Sequence, residues 1–240
     1  MDYKIILYIF FGILPSLAWF FYYLRKDLHP ESKKMILKVF LLGTLVTVPV
    51  FFAQVGLAIL LQKINAPAVL TNILYWFVVI SFTEEVFKFL IVKFEVLRNS
   101  EFDEPVDTMI YMIIVALGFA ALENILYLFT PIDQISFNEA VNRTVVITII
   151  RFLGATFLHT LCSALIGFFL AISFKESKKY IWIIGIFFAV LLHGIYNFSI
   201  MSLEGPLKFG VPIAVLVSLA IFVMSGFEKI KKIKSICLIK

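Results

Sequence analysis

The sequence predicts an all-α, polytopic transmembrane helical bundle of about seven spans, with the N-terminus outside and the C-terminus cytoplasmic. Hydrophobic residues fill 62% of 240 positions and charged residues 15%. Apolar runs repeatedly exceed the roughly 18 residues at which a membrane span becomes the default reading. The basic residues gather in alternate loops. The first two observations argue against a soluble domain; the third orients the chain. No polar stretch is long enough for a separate folded unit, so a single membrane domain over 1–240 is expected.

Taken in order, the first apolar run, Ile5 to Leu24, ends in Arg25-Lys26 without a small-x-small cleavage site and reads as a retained span rather than a signal peptide. Further spans are expected at 36–61, 68–92, 108–129, 144–173, 180–202 and 208–227. Those at 68–92 and 144–173 are longer than a perpendicular helix needs, which predicts tilt or an end projecting into water. Pro67, Pro105, Pro131 and Pro206 fall near loop edges, whereas Pro15 and Pro49 lie inside spans and are expected to kink them.

With seven spans, Lys and Arg split fifteen to four between the two faces, and only Lys88 and Arg151 remain inside spans. The net charge of +5 is thus a matter of membrane orientation, and nucleic acid is not implied. Cys162 in an apolar run and Cys237 in the basic tail form neither a disulfide framework nor a repeated zinc-type spacing.

An ionised side chain at mid-bilayer costs about 2.5–3.5 kcal/mol on insertion scales, so such residues face the bundle interior and mark function. Glu84 and Glu85 are adjacent, and Lys88 lies one turn from Glu84 on the same face. Lys88 can neutralise one carboxylate, which leaves the other as a candidate general base. A buried ion pair that merely orients the helix is the plainer reading of a single Glu/Lys pair. The next span carries Glu123-Asn124, which alone reads equally as interhelical glue.

Arg151 and His159 are eight residues apart, bringing them to one face, and Ser163 and Gly167 continue that stripe as small residues permitting close helix approach. His193 and Asn197 again lie one turn apart. Strongly polar groups therefore concentrate on the third to sixth spans, and a catalytic core is expected over about 68–202, built around a polar cavity that admits water.

Carboxylates and imidazoles without a paired nucleophilic serine or cysteine suit the activation of water. In a metal version, His159, His193 and one of Glu123 or Glu85 hold a zinc-like ion and Glu84 accepts the proton. In a metal-free version a glutamate deprotonates water directly, while a histidine and Asn197 stabilise the oxyanion. No H-E-x-x-H helix is present, so any ligands come from separate helices. Cys162 and Ser163, close to His159 in sequence, rank low as nucleophiles.

Glu84-Glu85-x-x-Lys88, Phe119-x-x-x-Glu123-Asn124, His159-x-x-x-Ser163 and His193-x-x-x-Asn197, in this order on successive spans, resemble the PrsW family of intramembrane proteases, as does Asp103-Glu104-Pro105-x-Asp107. That family is similar to the CAAX prenyl endopeptidases and bacteriocin-processing proteins. The resemblance implies a multi-pass peptidase of a prokaryotic plasma membrane that cleaves a membrane-tethered regulator such as an anti-sigma factor, near its extracytoplasmic side. The family's classification as metalloproteases adds weight to a divalent metal without identifying it; the histidine and carboxylate donors suit zinc. Thr108 and Met112 stand where glycines are expected in the family pattern. Two other functions compete with the peptidase: a proton- or cation-coupled transporter, against which no inverted repeat is visible, and an inactive membrane scaffold.

Overall fold

The computed structural model describes residues 3–25, 31–99, 101–130, 136–176, 178 and 180–233. Cys237, Pro131 and Lys26 lie outside these described residues. The elements are α1 (Tyr3–Leu24), α2 (Lys33–Gln62), α3 (Ala68–Leu74), α4 (Thr83–Ile91), α5 (Asp107–Leu128), α6 (Phe137–Leu153), α7 (Ala155–Lys175), α8 (Ile181–Ser202) and α9 (Leu207–Ile230). Two π-helical stretches, Tyr75–Phe82 and Val92–Val96, join α3 and α4 into one helical run over 68–96. Among the described residues there is no strand.

Six segments are long and apolar enough to cross a membrane, with α6 and α7 counted together as Phe137–Lys175. The run over 68–96 occupies the place of the remaining expected span. It is not a uniform α-helix because hydroxyls compete for its carbonyls. Thr83 donates to Val79 O at 2.6 Å and Ile80 O at 2.9 Å, and Ser81 donates to Trp76 O at 2.8 Å. Each i→i+5 turn holds an extra residue and so offsets the helix beyond it by about 100° of helical phase. Glu84 and Glu85 come directly after this offset.

Two of the boundaries that differ from the sequence expectation do so through a cap. Ser32 accepts the Met35 N–H at 3.2 Å, starting α2 three residues early. Ser136 and Glu139 form a reciprocal capping box, so the span expected from 144 begins at Phe137. That span also bends at Gly154 (φ −103°, ψ −96°), where a Cβ would sit 2.4 Å from the Tyr196 hydroxyl and 2.8 Å from Ile150 O. Only glycine leaves room for α8 there.

The centre of the bundle is α5, whose residues from Asp107 to Ala121 are all buried against α1, α2 and α7. The α2–α5 crossing depends on two glycines. A Cβ on Gly43 would lie 2.2 Å from Val115 O, and one on Gly118 would lie 2.0 Å from Phe40 O. Backbones meet there without intervening side chains, and Thr44 Oγ1 donates to Gly118 O at 3.1 Å. Gly167 makes the α5–α7 contact in the same way, and Thr108 donates to its carbonyl at 2.7 Å. A hydroxyl thus joins the two helices at this crossing.

Three inter-helix segments converge at one end of the bundle. Lys38 pairs with Glu95 at 2.6 Å, Ser32 donates to Glu101 at 2.5 Å, Tyr111 donates to Glu31 at 2.6 Å, and Phe102 packs on Phe174. This grouping is what alternation of seven spans requires.

Candidate active site

Six helical elements deliver polar side chains to one buried cluster: α2, α4, α5, α6, α7 and α8. On α4, Glu84 is 4% exposed while Glu85 and Lys88 are 0% exposed. Burial at this level demands partners, and α4 finds them on its neighbours.

Lys88 Nζ donates to Glu85 Oε1 at 2.5 Å and to His159 Nδ1 at 3.0 Å. Its counter-charge is thus Glu85, three residues away, rather than Glu84, four residues away. Both spacings are reachable on a helix. Glu85 wins because its Oε1 also accepts from His193 Nδ1 at 2.8 Å. Glu84 instead faces α2, where Gln54 donates to its Oε1 at 3.0 Å.

The partners determine both histidine tautomers. An ammonium only donates and a carboxylate only accepts. His159 therefore accepts from Lys88 at Nδ1 and donates from Nε2 to Glu123 Oε2 at 2.9 Å. His193 donates from Nδ1 to Glu85, which leaves the Nε2 lone pair free. The two rings stand edge to face, with centroids 5.1 Å apart. Each imidazole is thus oriented by a carboxylate on its outer nitrogen, the arrangement that positions histidine ligands in metal sites.

The inner nitrogens face Glu84. Its Oε2 lies 3.9 Å from His159 Nδ1 and 3.8 Å from His193 Nε2, too far for hydrogen bonds, and is buried without a partner among the described residues. Glu84, His159 and His193 each offer a ligand atom within 4.8 Å of the others. Adjacent ligands of a tetrahedral zinc with about 2.0–2.1 Å bonds are roughly 3.3 Å apart, so Glu84 Oε2 stands about half an ångström beyond that spacing from either imidazole nitrogen. Donor chemistry, orientation and an orphaned carboxylate oxygen all fit a divalent ion.

Glu123, expected as the third ligand, is engaged elsewhere. Its Oε2 receives Arg151 Nη2 at 2.7 Å as well as His159. Arg151 Nε donates to Asn124 Oδ1, Asn124 Nδ2 donates to Thr156 Oγ1 at 3.1 Å, and the guanidinium stacks 3.9 Å over the Tyr127 ring. Arg151 and His159 thus converge on one carboxylate across the Gly154 bend. The Glu123 side chain is 21% exposed, far more than Glu84, Glu85, Lys88 or His159, so the cluster opens toward the C-terminal end of α5.

Asn197 is half-buried, one turn beyond His193 on α8, and hydrogen-bonds none of the described residues. Ser163 is fully buried and its hydroxyl is likewise unpartnered; Cys162 is a buried free thiol. Gln54 is not among the site residues expected from sequence, although a lone amide in the apolar stretch Phe51-Phe52-Ala53-Gln54-Val55 is a visible signal. Thr156 and Tyr127 carry no such signal, since their roles depend on where Arg151 lands.

Comparison with known proteins points the same way as this geometry. A family model described as PrsW family intramembrane metalloprotease matches residues 31–225. The chain is 31% identical over 189 residues to Protease PrsW of Oceanobacillus iheyensis, covering 78% of this chain and 80% of the relative. It is 31% identical over 199 residues to that of Geobacillus kaustophilus, covering 80% and 79%. It is also 30% identical over 229 residues to that of Bacillus subtilis, covering 94% of each. No solved structure matches the chain.

Proposed function

The chain belongs to the PrsW family of intramembrane metalloproteases, and from that premise we propose that it hydrolyses a peptide bond at the Glu84, His159 and His193 cluster. It is a multi-pass membrane peptidase, and a membrane-protein substrate follows from that class. One observation carries the assignment of the site: two imidazoles, each held by a carboxylate behind it, present their other nitrogens to a carboxylate oxygen that has no partner of its own.

Glu84, His159 and His193 would hold the divalent ion, zinc by the donor set. Bound there, such an ion supplies Lewis acidity and makes water a nucleophile at neutral pH. Everything else falls to the chain. Glu123 and Glu85 hold the two imidazoles in orientation, and Arg151 with Asn124 holds Glu123. Gln54 fixes Glu84 through Oε1, turning Oε2 to the histidines. Asn197, on the His193 side of α8, is free to donate to the carbonyl oxygen of the scissile bond.

A metal-free reading rests on the same orphaned oxygen. Lys88 is committed to Glu85 and Arg151 to Glu123, so Glu84 is the carboxylate without a basic side chain hydrogen-bonded to it. A water between Glu84 Oε2 and the imidazoles would lose its proton to Glu84 directly.

Placement of the site supports cleavage toward the less basic face. Glu84 precedes Val96 by 12 residues and His193 comes 12 after Ile181. At about 1.5 Å per residue, both lie about 18 Å along their helices from the basic end of the bundle, against a hydrocarbon core roughly 30 Å thick. With the basic face cytoplasmic, in a plasma membrane, the cut falls in the outer half of the bilayer, within reach of an anti-sigma-factor-like protein with one span.

The test is purification in detergent with metal analysis, and cleavage of single-span substrates by wild type beside Glu84→Gln, Glu85→Gln, His159→Ala and His193→Ala. The metal reading expects near-stoichiometric zinc, lost with cleavage in both histidine variants. Cleavage by metal-free protein selects Glu84 as the direct base. Wild-type rates in Glu84→Gln and His193→Ala would sink both.

A further inference from the structure

His159 Nδ1 has a single lone pair, and Lys88 Nζ already occupies it at 3.0 Å. The same nitrogen is the one that faces Glu84 Oε2. Resting on the metal-holding reading above, we infer that Lys88 is a tethered competitor of the metal: its ammonium must leave His159 Nδ1 before an ion can be coordinated, and it thereby sets the affinity of the site.

Lys88 is confined to this role. It is 0% exposed, lies 5.0 Å from the centroid of the Phe119 ring, and donates to no third partner among the described residues. An ammonium in such surroundings cannot retreat to water, so displacement needs a buried acceptor. One is waiting. Glu85 Oε2 is buried and unpartnered, beside the Oε1 that Lys88 already contacts at 2.5 Å. A small swing gives the ammonium both oxygens of Glu85 and frees the Nδ1 lone pair, with the Lys88 charge paired to Glu85 in either state.

The charges of the cluster agree with such an exchange. Glu84, Glu85 and Glu123 face two permanent cations, Lys88 and Arg151, with the histidines neutral in the tautomers described. Without an ion, Lys88 satisfies His159 and keeps its ring turned toward Glu84. With one, Lys88 remains close enough to repel it. The lysine thus preserves site geometry at a cost in metal affinity.

The test is a zinc titration of the full chain in detergent against a chromophoric chelator, comparing wild type with Lys88→Met, which retains the length of the side chain and removes its charge. Zinc is expected to bind the variant about tenfold or more tightly. Because Lys88→Met strands the Glu85 charge, Glu85→Gln/Lys88→Met is run beside Glu85→Gln alone, and the same gain is expected in that neutral background. Equal or weaker binding in the lysine-free member of a folded pair overturns the inference while leaving the metal site standing. Zinc bound by none of the four proteins removes the metal reading itself, and this inference with it. Zinc bound only without Lys88 supports both.

Discussion

Each cation inside the bundle is attached to a different glutamate, Lys88 to Glu85 and Arg151 to Glu123, which leaves Glu84 with only the Gln54 amide. Removing one partner of a buried pair leaves the other charge stranded, at a cost of about 3–5 kcal/mol. Arg151→Leu is therefore expected to lower the thermal stability in detergent and to release Glu123 from its fixed position. Loss of such an outer-shell group typically costs about 10–100-fold in metal affinity or activity, measurable as initial cleavage rate. Arg151→Lys should recover only part of it, because one ammonium cannot serve both Glu123 and Asn124 in the guanidinium geometry. Gln54→Leu leaves Glu84 Oε1 without its donor, a loss of about 1–3 kcal/mol. Its expected signature is slower cleavage with substrate affinity preserved; a rate equal to wild type would show that Gln54 does not position Glu84.

At the scale of elements, function depends on how closely helices approach. The Gly43 and Gly118 contacts let α5 lie against α2, which brings Gln54 to Glu84 and supports Phe119 beneath Lys88. Gly118→Val has no small relaxation open to it, since its new Cβ meets the backbone of Phe40. Destabilisation by about 1–3 kcal/mol or more is expected, read as a lower unfolding temperature. Gly154→Ala meets two obstacles, the Tyr196 hydroxyl at 2.4 Å and the Ile150 carbonyl at 2.8 Å. The ring can turn aside but the backbone carbonyl cannot, so the bend between Arg151 and His159 has to change. Reduced cleavage together with a lower unfolding temperature is the expected result; unaltered cleavage would mean the bend tolerates a methyl group.

For the whole molecule, the property to test is direction in the membrane. In the sequence the basic residues gather in alternate loops, and the positive-inside tendency predicts a cytoplasmic position for those loops. Single cysteines at 101 and 204, in a background with Cys237→Ser, report the orientation through a membrane-impermeant thiol reagent. Position 204 should label in intact cells and position 101 only after permeabilisation, with buried Cys162 silent in both. The reverse pattern would move the site to the cytoplasmic half of the bilayer and with it the expected cleavage position.

The spans, and the helices that carry each ionisable group, were legible in the sequence because an apolar run of membrane length has no other stable form in lipid, and because buried charges there are too costly to occur by accident. The EE-x-x-K, E-N, His and H-x-x-x-N elements were legible for the same reason. Which groups face one another was not. Lys88 lies within reach of both glutamates along its helix, and only the arrival of His193 from α8 decides for Glu85. From the sequence, Glu123 or Glu85 is the expected third ligand and Glu84 the base; Arg151, brought round by the Gly154 bend, engages Glu123, and Glu84 is the carboxylate left facing the histidines. Sequence spacing reports the face of a single helix, whereas pairing depends on phase offsets from π turns, on backbone contacts at glycines and on helix order in the bundle, all of which exist only once the chain is packed.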